Sequence, residues 1–179
     1  MKKILILLFL FTLVGCNIMK TPSKKVEEYL DNYTKLSDAV IMDIESTIAN
    51  ESLSSKSKET YKQALKRQYE NMKYKIKDEK VNGNKAEVIA KISVYDYFRV
   101  EEDSLNYMNQ HLEEFHDENN LFDNELYNMY RLSELLKTNN SIDYEIKFDL
   151  EKKNNEWILK NPDRSTLEKI NGFYNYSGN

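Results

Sequence analysis

The chain has 179 residues, a formal net charge of -4 and a single cysteine. Its charges are mixed along the sequence and not in blocks, which excludes a nucleic-acid surface built on clustered positive charge and adhesion to anionic lipid by charge alone. One cysteine excludes a disulfide framework, and four glycines with two prolines argue against glycine-rich ligand cradles.

The chain opens with Lys2 and Lys3, an apolar run from Ile4 to Phe11, and Leu13-Val14-Gly15-Cys16. A basic start, an apolar stretch and a small residue at the cut read as a secretory signal. The run is too short to span a bilayer as a permanent helix. Its ending resembles a bacterial lipobox, Leu-x-Gly-Cys. That resemblance implies cleavage between Gly15 and Cys16, acylation of the Cys16 sulfur, and a palmitate-bearing anchor on the extracytoplasmic face of the cell membrane. Two or more acyl chains hold a protein stably where one does not. The competing reading is a free thiol behind an ordinary signal, or a cysteine buried in a helix; the flanks and the absence of other cysteines favour lipidation. The expected organisation is 1–15 signal peptide, 16–20 lipidated tether and 21–174 a single α+β domain. Loss of Lys2 and Lys3 makes the mature form about -6.

Thr21-Pro22 predicts a helix start, with Thr as N-cap and Pro at the first position. Val26, Tyr29, Leu30, Tyr33 and Leu36 recur at helical spacing. Ser37-Asp38 offers a second start before Val40, Ile41, Ile44 and Ile48, leaving one long helix or two. A serine-rich connector, 51–57, precedes a helix over 58–71 with Tyr61, Ala64, Leu65, Gln68, Tyr69 and Met72 on one side.

The period then changes to two. Tyr74 and Ile76 alternate with lysines, and Asn82-Gly83 predicts a type I′ hairpin turn with positive φ at both residues. The return strand puts Ala86, Val88, Ala90, Ile92, Val94, Asp96 and Phe98 on one face, with Tyr95 and Tyr97 on the other. From Glu101 the pattern is helical, with Leu105, Met108, Leu112 and Phe115 as its stripe. A break over 117–120 leads to a helix over 123–137 carrying Leu126, Met129, Tyr130, Ser133 and Leu136. Ile142, Tyr144, Ile146, Phe148 and Leu150 form the inward face of the clearest strand. Asn154-Asn155 turns it, and Trp157 and Leu159 return. Ser165 with Glu168 suggests a capping box for a last helix docked by Leu167, Ile170 and Phe173 and ended by Gly172. The tail from Tyr174 is expected to fray.

These elements predict an α+β fold. Helices pack on one face of a curved antiparallel sheet of about four strands, with a helical insert between the two hairpins. N-terminal helices on such a sheet, with a long second strand and a Trp on the last, resemble the nuclear-transport-factor-2-like (cystatin-like) cone fold. The segment Thr21-Pro22-Ser23-Lys24-Lys25-Val26-Glu27-Glu28-Tyr29-Leu30, with Val94-Tyr95-Asp96-Tyr97 and Trp157-Ile158-Leu159, is similar to small lipoproteins of low-GC Gram-positive bacteria. The resemblance implies a fold and an address. It implies no reaction, cofactor or catalytic residue. The insert departs from the usual cone and would cap its mouth or replace strands.

His111 and His116 stand five apart, about 140° around a helix, and do not reproduce the i, i+4 pair of a zinc-protease helix. No metal is expected. Asp96, on an otherwise apolar strand face, is the one candidate general base; the simpler reading makes it a solvated residue or a helix cap. The tyrosines suggest a pocket or a sticky patch, though their spacing fits core positions better. The first expectation is therefore a non-enzymatic, lipid-anchored module binding an envelope protein, polymer or peptide. The second is a small-molecule-binding or enzymatic cone whose pocket is lined by Val94, Asp96, Tyr144 and Trp157.

Overall fold

A computed structural model describes residues 20–178. The expected signal and lipidation site, Gly15 and Cys16 included, lie outside the described residues.

Helix α1 (Pro22–Thr34) begins as the sequence predicts. The Thr21 hydroxyl accepts a hydrogen bond from the Lys24 N–H at 3.2 Å, and Pro22 occupies the first turn, where its missing N–H costs nothing. Leu36 takes a left-handed conformation (φ 47°). That residue separates α1 from α2 (Asp38–Ala49), so the two apolar stripes belong to two helices. Helix α3 (Ser55–Asn71) starts three residues before the expected Lys58. Ser54 is the reason: its side chain caps the Ser57 N–H at 3.1 Å, so part of the serine connector is helix.

Four strands, β1 (Lys73–Asn82), β2 (Lys85–Tyr95), β3 (Ser141–Lys153) and β4 (Glu156–Leu159), lie in sequence order in one curved, open antiparallel sheet. Alternation decides which face is covered. Val88, Ala90, Ile92, Val94, Tyr144, Ile146, Phe148 and Leu150 are buried under α1, α2, α3 and the last helix. The opposite face is solvated and carries cross-strand pairs such as Lys91–Asp143 at 2.8 Å. A bulge after Ile76 shifts the β1 register.

The type I′ geometry expected of the first hairpin turn is found at the second. The first loop is Gly83-Asn84, flanked by the Asn82–Lys85 pair, and only Gly83 has positive φ (59°). The type I′ signature of two positive φ values appears instead at Asn154 (49°) and Asn155 (67°). Both turns sit at one end of the sheet, where the Lys152 N–H donates to the Asn84 carbonyl at 2.7 Å.

The insert leaves the opposite end. Tyr95 pairs with Ser141 there, and the chain between them forms α4 (Tyr97–Gln110), a short 3-10 turn (Leu112–Phe115) and α5 (Asn124–Lys137). It packs on the back of α3, not over the sheet. Ala64, Tyr97, Leu132 and Leu135 make a small second core there. Three expectations fail as a result. Tyr97 does not cover the outer sheet face, since it is fully buried beneath α3 and its hydroxyl donates to the Ala64 carbonyl at 2.9 Å. Of the stripe Leu105, Met108, Leu112 and Phe115 only Phe115 is buried: Leu105 and Leu112 are exposed, and α4 itself buries Tyr97 and Ser104. Helix α5 buries Leu132 and Leu135, one position away from the expected face, and leaves Leu126 exposed.

Helix α6 (Arg164–Asn171) is capped by Asp163, which accepts from the Thr166 N–H at 2.8 Å, in place of the expected Ser165–Glu168 box. It ends at Gly172 with φ 79°. The following tail is not frayed. Tyr174 packs edge-on against Tyr144, Tyr176 packs on Phe98, and the Tyr176 hydroxyl donates to Asp96 Oδ2 at 2.8 Å.

Candidate functional site

The expected pocket does not assemble. Val94 and Tyr144 are packed in the main core. Asp96 is the N-cap of α4: its Oδ1 accepts from the Arg99 N–H at 3.1 Å, while Tyr176 holds its other oxygen. Trp157 pairs across the sheet with Lys152, eight residues along β3 from Tyr144. At about 3.3 Å per residue the two are roughly 26 Å apart. Tyr144 keeps one unusual feature: its hydroxyl is buried without a hydrogen-bond partner among the described residues. Burial, with the Asp96 carboxylate second, pushes that phenol up. The two histidines stand apart in role. His111 stacks on Tyr107 at 4.3 Å, and His116 Nδ1 lies 3.1 Å from Asn120. The other tyrosines are mostly core and core rim, as their spacing suggested: Tyr33 and Tyr69 are buried and meet edge-on at 5.0 Å.

The insert holds a different site, and a rigid junction positions it. Gln68 on α3 is fully buried. Its amide nitrogen donates to the Tyr95 and Asn171 carbonyls, both at 2.9 Å, and its oxygen accepts from the Tyr95 N–H at 2.8 Å. One side chain thus fastens the end of β2 and the end of α6 to α3. The Phe98 N–H donates to the Gly172 carbonyl at 2.8 Å, and the Asp96 N–H donates to Asn140 at 3.0 Å. Both strands of chain that enter and leave the insert are therefore held by backbone. Arg67 adds a stacked guanidinium 3.9 Å above the Tyr95 ring and a bond to Asn139 at 2.9 Å. Gly172 has to be glycine here, because a Cβ would come within 2.0 Å of the Gln68 amide and 2.3 Å of the Tyr95 carbonyl.

Between α4, α5 and the loop 138–140 runs a groove of about 420 Å³. Asp103, Ser104 and Tyr107 line it from α4; Tyr130, Glu134 and Lys137 line it from α5. Spacing explains the lining: residues three and four apart share one helix face. Tyr107 stacks on Tyr130 at 4.9 Å and on His111 at 4.3 Å, and Phe115 meets both tyrosines edge-on. The Tyr107 hydroxyl donates to Glu114 at 2.9 Å, a bond that, with burial, holds its pKa up. Burial, then the Glu134 carboxylate, raises that of Tyr130. Both rings stay neutral at physiological pH. Ser104 is 1% exposed and its hydroxyl has no partner among the described residues.

The charge of the insert separates it from the rest of the molecule. Residues 96–140 hold eleven acidic and three basic side chains, a net -8, against +4 for the remainder of the chain. The sequence shows mixed signs residue by residue; the excess appears only when that segment is counted alone. Exposed apolar side chains gather there too. Leu105, Leu112, Leu121, Phe122 and Leu126 are each 40–64% exposed.

No family model matches the chain, and no curated protein matches it significantly. Among solved structures it is similar to ycdA of Bacillus subtilis, provisionally described as a lipoprotein, with 17% identity and a TM-score of 0.42. The match covers 83% of this chain and 47% of the other, so the chain spans about half the length of that neighbour. A likeness at that level carries neither fold nor function across, and the cone-fold family is not shown. Among the described residues no helix is long and apolar enough to cross a membrane.

Proposed function

We propose that the protein is a non-enzymatic, lipid-anchored binding module on the extracytoplasmic face of the cell membrane, and that the helical insert is its binding end. The observation that carries this reading is the separation of the insert from the start of the domain. The Ser23 N–H donates to Glu79 at 2.8 Å, and Glu79 pairs with Val88. Val88 stands seven residues from Tyr95, where the insert is rooted. That is roughly 23 Å along the strand. An acylated Cys16 would leave a tether over 16–20, which reaches at most about 18 Å. The hairpin end of the sheet then faces the bilayer, and the acidic insert points away from it.

This arrangement favours a protein or peptide partner over lipid, since the apolar side chains of the insert stand on the distal side. It also disfavours an anionic envelope polymer, which a net charge of -8 repels. The experiment is labelling of cells with an alkynyl palmitate, comparing the natural chain with Cys16→Ser. The natural chain takes up label and fractionates with the membrane. The variant loses label and remains as precursor or appears in the medium. Unchanged fractionation of the variant refutes the anchor.

A further inference from the structure

We infer that the tip of the insert, residues 112–123, docks head-to-tail on a row of lysines along β1 of a second copy of this chain. The inference rests on the insert being the binding end and names its partner. The tip joins two properties. Residues 112–123 hold five carboxylates (Glu113, Glu114, Asp117, Glu118 and Asp123) and no lysine or arginine. Among the described residues their one ion-pair partner is His111, 3.5 Å from Glu114. Leu112, Leu121 and Phe122 are exposed between those carboxylates. The tip is also preformed. The Asp123 N–H donates to the Phe115 carbonyl at 2.7 Å and the Asp117 N–H to the Leu121 carbonyl at 2.8 Å, and buried Phe115 roots the loop. A surface already ordered loses less freedom on docking.

The chain carries the complement on its other side. Lys73, Lys75 and Lys77 stand exposed on β1, an edge strand. Among the described residues none of them has an ion-pair partner. The register sets Lys73 opposite Ser93 and Lys75 opposite Lys91, so the neighbouring strand does not balance the row. Each lysine brings an apolar stem beneath its ammonium, which suits a tip whose leucines and phenylalanine lie among carboxylates. The two patches cannot meet within one molecule. Helix α3 packs on the inner face of the sheet and the insert packs on the back of α3, while Lys73 and Lys75 face out of the sheet's other side. Between two molecules they meet head to tail, a heterologous contact that leaves one row and one tip free at the two ends of a pair. Acylation of Cys16 would confine the copies to one membrane and raise their effective concentration.

The test is photocrosslinking in intact cells with the full chain carrying Leu121→p-benzoylphenylalanine. Irradiation is expected to give a band at twice the mass of the chain, with peptide mapping joining residue 121 to the segment 73–77. Lys73→Glu with Lys75→Glu should reduce that band about tenfold, and Glu113→Lys with Glu118→Lys should do the same. All four positions are exposed, so the purified variants should melt within about 2 °C of the natural protein, and a lost band then reports a lost contact. Co-expression of the two variants should restore the band, because the natural tip of one meets the natural row of the other. A dimer joined elsewhere, a crosslink to other proteins only, a band that survives either reversal, or a co-expressed pair that gives no band would each overturn the proposal. Absence of the dimer with palmitate labelling of Cys16 intact removes this inference and leaves the anchor standing.

Discussion

Replacing Gln68 by Leu would test whether one buried amide joins the sheet to the helical layer. The side chain is fully buried and makes three hydrogen bonds, two to Tyr95 and one to Asn171. Leucine fills a similar volume but pairs with none of them. Three backbone groups are left without this partner: the Tyr95 N–H, the Tyr95 carbonyl and the Asn171 carbonyl. Each buried group left unpaired costs about 1–3 kcal/mol. Partial relief by water at the edge of the junction brings the total to about 3–5 kcal/mol. For a domain of this size about 1 kcal/mol moves the melting temperature by ~2–4 °C, so the variant should melt roughly 6–20 °C lower. The assay is thermal unfolding by circular dichroism, with urea unfolding to obtain the free energy. Gln68→Glu is a useful companion, since it keeps the acceptor oxygen and loses the two donated bonds at neutral pH. A Leu variant within about 1 kcal/mol of the natural protein would refute the view that Gln68 organises the junction.

Three further outcomes are expected. Leu132→Ala, in the small core beneath the insert, should cost about 2–5 kcal/mol, measured by urea unfolding; a loss below about 1 kcal/mol would mean that the insert is not packed on α3 as described. Asn154→Ala should cost about 1 kcal/mol, because its φ of 49° is unfavourable for a residue with a Cβ and no side-chain amide; Asn154→Gly should be neutral or stabilising. Glu125 accepts from Ser54 at 2.5 Å and Ser57 at 2.8 Å, and those bonds hold its carboxyl below the ordinary range. A depressed carboxylate contributes stability that is present above its unfolded pKa, about 4.3, and lost as pH falls through the folded value. Glu125→Gln should therefore lower the melting temperature at pH 7, and the gap to the natural protein should narrow below about pH 4; a gap that stays constant with pH counts against the charge.

The sheet was legible because its signal is redundant. Every second residue of β3 from Ile142 to Leu150 is apolar, and a slip by one would expose all of them at once. Helix α1 was legible for a different reason, since Thr21-Pro22 marks its start chemically. What failed was the insert. Leu105, Met108 and Leu112 carry the spacing of a core stripe, yet α4 turns Tyr97 and Ser104 inward. Periodicity reports that a helix has an apolar side, not that the protein itself covers it. The buried side of α4 is set by its first residue: Tyr97, locked under Ala64 by its hydroxyl, fixes the helix's rotation, and Ser104 follows seven residues later on the same side. A tyrosine read as the continuation of a strand gave no hint of this. Asp96 misled in the same way, since the strand ends one residue earlier and the carboxylate caps a helix.

The mismatch on α4 also bears on function. A helix whose apolar residues face solvent is less stable alone than one that buries them, and nothing in the main core needs Leu105 or Leu112 outside. Their exposure together with Leu121, Phe122 and Leu126 is concentrated on a segment that also holds the whole acidic excess of the chain. Solubility accounts for the carboxylates but not for the leucines; core packing would account for the leucines but not for where they lie. The binding role proposed for the insert accounts for both. The insert is rooted firmly, by Gln68, Gly172 and backbone bonds at both of its ends, and a preformed surface loses less freedom when it binds. Gly172→Ala tests the root itself: its Cβ would meet the Gln68 amide and the Tyr95 carbonyl at a φ of 79°, so the variant should melt well below the natural protein by circular dichroism, and an unchanged melting temperature would refute the rigid junction.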